Sequence, residues 1–264
     1  MSASASEFAA AYARHRAKEG RGLDGDALRA LPYLREGPLA RQWEVRARTF
    51  DAFLQRVVGP MSAGIKRPLR ILDLGAGNGW LSHRLCGLGH DCTAVDIRDD
   101  AVDGLGSAAA LARDWPGRFA CVTASFETLP LEPGQFDITL FNASLHYAQD
   151  LGRVLREAMR VTRTAGTLAV MDSPFYRRDQ DGRAMVVEKR ASGRKQFGDD
   201  AGILLAGDFI EYLTPDRLNA AVETLSWAHH RVRYPLWYEL RPLMARLKRA
   251  RMPSRFDLWT AQVP

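Results

Sequence analysis

The sequence predicts an α/β fold built on a doubly wound, mostly parallel sheet. Two observations carry the prediction. Between residues 69 and 171, short apolar runs alternate with stretches of helical periodicity, the pattern of βαβ units. The first apolar run then enters Asp73-Leu74-Gly75-Ala76-Gly77-Asn78-Gly79, where glycines allow a sharp turn into a helix.

The elements follow in order. The first 60 residues read as helices, and Val45, Phe50, Phe53, Leu54, Val57 and Val58 share one face. Gly59-Pro60 is the expected end of that helix. Strands are expected at 69–74, 91–96, 119–123, 136–142 and 166–171, with helices at 80–88, 100–115 and 150–162 between them. Residues 173–208 are charged and glycine-containing, with no clear strand. Thr214 before Pro215 reads as a capped helix start. Segments 229–234 and 256–262 read as a closing pair of strands. Between them, 236–252 reads as a basic helix with Leu240, Leu243, Met244 and Leu247 in a stripe, expected to pack on the sheet.

Composition narrows the function classes. The chain has 264 residues, 46% hydrophobic and 26% charged, enough apolar mass to offset chain entropy. No apolar run reaches membrane-spanning length. Cys86, Cys92 and Cys121 form no CxxC pair and read as small buried residues, which excludes a disulfide framework and a Cys-rich zinc site. The N-terminal residues lack the order of a signal peptide, so the expected compartment is the cytoplasm. The net charge is +6, and residues 230–264 alone hold eight basic and two acidic residues, which accounts for all of it. A general nucleic-acid binder spreads such charge over its main face.

The glycine loop selects the ligand. A dinucleotide loop needs a small residue at position 80, and Trp80 stands there. Asp73 beside the loop would repel a diphosphate but suits a cationic, amino-acid-like group. S-adenosyl-L-methionine (SAM) has that chemistry. On the second strand Asp96 is placed to accept hydrogen bonds from ribose hydroxyls, with Ile97 beside the adenine. Gly75, Ala76 and Gly77 form the cradle itself.

These segments, with Ser125–Leu131, Phe136–Tyr147 and Val161–Gly166, resemble the class I SAM-dependent methyltransferases, and the methyltransferase type 11 group in particular. The resemblance covers 65–175 well and 210–235 more loosely. It implies a Rossmann-like seven-stranded sheet whose last strand is antiparallel. It also implies that Ser125 and Phe126 contact adenine and that Asn142 and Ala143 lie near the methionine part. Ser125 stands where an aspartate is more usual.

His146, just past the fourth strand, is the candidate catalytic base, with a structural or cofactor-contacting role as its alternative. Asp137 reads as structural. Asp172 with Asn142 is too sparse an acid set for a metal, and none is expected. The expected organisation is a helical cap at 1–62 and a SAM-binding domain at 63–264, with 173–208 inserted as substrate cover. The expected reaction is methyl transfer from SAM to an oxygen or nitrogen of a small molecule, releasing S-adenosyl-L-homocysteine. Two rivals are an RNA methyltransferase using the basic helix and a non-catalytic SAM-binding module. Segment 236–252 is also a candidate for peripheral membrane contact. No obligate protein partner is inferable.

Overall fold

The computed structural model describes residues 5–20, 22–23 and 25–264; Met1–Ser4 of the N-terminal reading, and positions 21 and 24 of the expected cap, lie outside them. Seven strands form one sheet: β1 Arg70–Leu74, β2 Asp91–Asp96, β3 Phe119–Thr123, β4 Phe136–Asn142, β5 Thr162–Met171, β6 Ala228–His230 and β7 Leu258–Gln262. Their order is β3-β2-β1-β4-β5-β7-β6. The first five run parallel, and β7 lies antiparallel to both β5 and β6.

Alternation along the strands divides the core in two. Ile71, Cys92, Ala94, Ile138 and Leu140 face one side; Leu72, Leu74, Val95 and Phe141 face the other. The first side is covered by α3 (Ala40–Phe53), α5 (Trp80–Gly87) and α6 (Leu105–Ala112). The second is covered by α7 (Leu151–Val161) and α10 (Pro215–Ala221). In α7 the buried Leu151, Val154, Leu155, Ala158 and Val161 form one stripe, and the Asp150 side chain caps the helix by accepting the Arg153 N–H at 2.9 Å. Thr214 caps α10 by accepting the Arg217 N–H at 3.1 Å.

Trp80 has a structural use. Trp43 and Phe50 of α3 meet its ring edge-on, at centroid distances of 5.7 and 5.6 Å. Asp137 is structural too: Arg67 bonds it at 2.8 Å, the Arg70 N–H at 2.8 Å and Arg163 at 2.6 Å.

Several boundaries differ from the sequence reading. Gly59-Pro60 does not end the α3 run. A π-helical turn, Leu54–Val58, leads into α4 (Gly59–Gly64), with Pro60 in its first turn, where no helical N–H is required. α6 starts at Leu105 because the Asp100 carboxylate takes the Val102 and Asp103 N–H groups, each at 3.0 Å, into a turn. Residues 173–208 contain α8 (Asp179–Phe197) and α9 (Ala201–Leu204). Cys121 is exposed on edge strand β3, whereas Cys86 and Cys92 are buried.

The 236–252 segment is a correction as well. It forms two short helices, α11 (Leu236–Glu239) and α12 (Arg241–Leu247), and Leu240, Leu243, Met244 and Leu247 face outward, not onto the sheet. The N-terminal helix α1 (Ala5–Lys18) lies against α9, with Ala11, Phe197, Ala201 and Leu204 in a small separate core. Helix α2 (Gly25–Ala30) contributes Leu28 to the main core. No helix of the described residues is long and apolar enough to cross a membrane.

Candidate active site

Two cavities open at the C-terminal ends of the parallel strands, where α/β sheets bind ligands. The first is about 520 Å³ and is walled by the glycine loop, the end of β2, the 124–127 turn and the end of β4. The second is about 510 Å³ and lies past the ends of β4 and β5. They share Tyr12, Arg16, Arg46, Ala143 and Tyr147 as lining residues.

The loop is held by the strands on either side. The Gly75 and Ala76 N–H groups both donate to the Val95 carbonyl, at 2.8 and 3.0 Å. The Gly77 N–H donates to Asp96 Oδ2 at 2.8 Å, and the Arg98 N–H to Asp96 Oδ1 at 2.9 Å. Gly75 has φ +74°, and a methyl group there would overlap the Ser144 side chain. Ser144 in turn donates to the Leu74 carbonyl at 2.5 Å, tying the end of β4 to that of β1. Asp96 is buried and its pKa is raised, first by burial, against the opposing pull of Arg98.

Gly75, Ala76, Gly77, Asp96, Ile97, Ser125, Phe126, Asn142 and Ala143 all line the first cavity. Ile97 stands at its rim, largely exposed. The Ser125 hydroxyl accepts the Glu127 N–H at 3.2 Å, shaping the turn. Asn142 is buried with Oδ1 unpartnered. Asp73, expected beside the ligand, sits beneath the loop and off both cavity walls. It accepts from Ser82 Oγ at 3.0 Å, and its other oxygen has no partner. Burial, with Asp96 nearby, raises its pKa to about 7.

His146 lines only the second cavity. Its Nδ1 lies 3.5 Å from Ser173 Oγ. Burial, then Lys189, Arg46 and Arg16, lowers its pKa to about 3, so the ring is neutral at physiological pH. Asp172 lines the same cavity with φ +55°. Neither of its oxygens has a hydrogen-bond partner within normal distance, and the nearby Thr49 hydroxyl donates to the Val45 carbonyl. Burial raises Asp172 to about 6, with Arg46 and Thr49 opposing. Among the described residues, no cluster of three or more His, Cys, Asp or Glu suits a metal.

The sequence reading expected a helical cap at 1–62 but named none of the residues that roof the site. Phe8, Tyr12 and Arg16 recur at every fourth position of α1 and line the first cavity. The Tyr12 and Tyr147 hydroxyls share a hydrogen bond at 3.0 Å, and Arg16 pairs with Asp103 at 2.7 Å. Phe209 closes the group, edge-on to Phe8 and Tyr147 at 5.2 and 5.7 Å. The guanidinium of buried Arg98 lies 4.7 Å from the Tyr12 ring and donates to the Asp103 carbonyl at 2.6 Å. The regular spacing along α1 was visible in the sequence; its partners, far away in the chain, were not.

The site residues fit SAM. The cavity has the volume of a small-molecule site, its loop leaves no room for a side chain at Gly75, and it presents a buried acceptor, Asn142 Oδ1, without a donor. Comparison with known proteins agrees. Residues 72–170 match the methyltransferase domain family, a span from β1 into β5. The chain is 29% identical over 191 residues to the malonyl-acyl-carrier-protein O-methyltransferase of Erwinia pyrifoliae, covering 66% of this chain and 69% of that protein. The matched segments span only 35% and 47% of the proteins of the same name from Legionella pneumophila and Halorhodospira halophila. It is 26% identical to the ubiquinone/menaquinone biosynthesis C-methyltransferase UbiE of Methylobacterium nodulans, over 72% of this chain and 80% of that one. The solved structure of the cyclase SpnF superposes with a TM-score of 0.65 at 16% identity, covering 100% of this chain and 98% of that one, a likeness of fold alone. Domain match and relatives point the same way as the loop: residues 72–170 carry a methyltransferase domain, and the chain is similar to SAM-dependent methyltransferases.

Proposed function

We propose that the protein methylates an oxygen or nitrogen nucleophile of a small molecule held in the second cavity, with SAM held in the first. The observation that carries this reading is the shared wall: Ala143, Tyr12 and Tyr147 border both cavities, so two ligands would meet there. Bound SAM supplies a methyl group on a sulfonium, already activated for displacement. The protein's task is then to position and to manage one proton. Holding two reactants in register can be worth ~7–11 kcal/mol.

In this reading Asp96 holds the ribose, Ile97, Ser125 and Phe126 flank the adenine, and Asn142 and Ala143 lie at the methionine end. Asp73 stiffens the loop from below. Residues 173–208 and α1 form the cover, supported by their shared apolar core. His146 and Asp172 are the two proton acceptors of the second cavity. A neutral His146 orients the acceptor, and Asp172, with its pKa raised toward neutrality, takes the proton from an O–H or N–H. The unpaired cysteines support a cytoplasmic setting.

The test is transfer of labelled methyl from SAM to fractionated small molecules. Label appearing in a low-mass product, lost in Asp96→Ala, is expected. Label found only in RNA or protein would overturn the reading.

A further inference from the structure

Six of the ten exposed large apolar side chains among the described residues lie in the twelve-residue stretch 236–247. Leu236, Leu240, Leu243, Met244 and Leu247 recur at helical spacing, and Leu236 and Leu247 are 73% and 72% exposed. Scattered exposed leucines need no explanation; a contiguous stripe does. The charge beside it is equally concentrated. Within the basic C-terminal region, Arg255 and Arg231 are spent on Glu239, and Arg255 also on Asp257. Arg251 pairs with Glu188. Arg246, Lys248 and Arg249 are exposed and have no acidic partner among the described residues. Apart from Arg233, which precedes α11, the excess positive charge therefore sits on α12 and just after it, along the apolar stripe.

We propose that residues 236–249 dock the protein on an anionic lipid bilayer. An apolar helical face flanked by uncompensated cations is the design of an interfacial helix: the leucines enter the acyl boundary and the cations meet anionic headgroups. Trp237 at the start of the stripe is the residue type that favours the headgroup level. A second copy of the chain is a poor occupant, since it would bring the same cations against each other. RNA would satisfy the charge but leave the leucines in water.

The docking face adjoins the site. Trp237, Tyr238 and Arg241 belong to the same segment and line the second cavity. The face therefore brings that cavity to the bilayer, and the acceptor it delivers is an amphiphile with an apolar portion. This last step rests on the reading of the second cavity given above; the docking does not.

The experiment is co-sedimentation of the full chain with vesicles of pure phosphatidylcholine and of phosphatidylcholine mixed with phosphatidylglycerol, at low and high salt. Binding to the mixed vesicles, weakened by salt, is expected. Arg246→Gln/Lys248→Gln/Arg249→Gln should lower partitioning on the order of a hundredfold, since each cation near an anionic surface counts about fivefold. Leu243→Glu/Leu247→Glu should lower it as well. All of these side chains are exposed, so the variants should keep the wild-type SAM affinity in calorimetry. Wild type that binds neither vesicle, or mixed-vesicle binding unchanged in both variants, overturns the proposal. So does binding to RNA or to a purified acidic carrier protein without binding to vesicles. Transfer of labelled methyl from SAM to low-mass products by the same samples tests the methyl-transfer reading separately.

Discussion

Asp96 Oδ2 accepts the Gly77 N–H at 2.8 Å. One carboxylate thus shapes the glycine loop and also stands on the wall of the cavity that the loop encloses. Asp96→Ala removes the loop's anchor together with the proposed ribose acceptor. Charge-assisted hydrogen bonds of this kind are worth ~1.5–3 kcal/mol, so SAM should bind roughly 10- to 100-fold more weakly. Calorimetry is the check, and an unchanged affinity would remove Asp96 from the site. Asp96→Asn should restore little, because its amide group would meet a backbone N–H with another N–H.

Gly75→Ala tests the loop's close approach to β4. The added methyl meets the Ser144 side chain, and the backbone at φ +74° disfavours any L-residue. The variant should lose thermal stability and SAM affinity together. In Gly75→Ala/Ser144→Gly the overlap is relieved while a strain of ~1–2 kcal/mol remains, so rescue should be partial. Ser144→Gly alone, which loses the bond to the Leu74 carbonyl, is the reference; a double variant no better than Gly75→Ala after that correction would show that the overlap was not the problem.

Arg16→Ala should loosen the roof and leave the core intact. The Arg16–Asp103 pair joins α1 to the stretch between β2 and α6, and Tyr12 rests on Arg98 beside it. The KM for SAM should rise severalfold, with little change in Tm. A large fall in Tm with KM unchanged would make α1 a structural helix only.

What the sequence disclosed was local. The loop follows a strand, and Asp96 and Asn142 each end one, so contiguous residues were enough to locate them. Contacts between distant segments were not legible: Tyr12 meets Tyr147 across 135 positions. Helix α8 escaped notice because Gly182 and Gly193 argue against a helix, yet both are buried at close approaches, to the Tyr212 ring and the Leu205 side chain, which would have to shift for any larger residue. The stripe at 240–247 had the right periodicity, but periodicity identifies a face without saying what lies opposite. Here no sheet lies opposite it. Asp172 drew attention only as a metal ligand, since burial without a partner is not written in composition.

His146→Ala separates catalysis from cofactor binding. His146 lines the second cavity and not the first. Turnover should fall on the order of 10²-fold, because misplacing the acceptor costs about that much, while SAM affinity stays within about twofold of wild type, a difference of under ~0.5 kcal/mol. Equal losses in both would relocate His146 to the cofactor pocket.

Asp172 gives the last test through pH. Its pKa is about 6 in the folded chain against 3.8 for the free side chain. Below 3.8 the group is protonated in both states and adds no pH dependence. Between the two values the folded chain holds a proton that the unfolded chain lacks, so stability falls as pH rises and levels off above the folded pKa. Asp73, raised to about 7 by burial, acts in the same direction. Asp137 acts oppositely. Burial would raise it, but Arg67, the Arg70 N–H and Arg163 hold it at about 2, so its contribution is lost only in stronger acid. Asp96, also raised by burial, acts in that falling direction too, and Asp172→Asn removes one of these falling contributions. In urea denaturation the variant should gain on wild type as pH rises from about 4.5 to about 8, by roughly 1–3 kcal/mol. Asp137→Asn should instead cost stability throughout that range, since it removes a carboxylate held by two arginines. Parallel stability curves for wild type and Asp172→Asn would mean that the Asp172 carboxylate is not raised in the folded chain, and its role as proton acceptor would go with it.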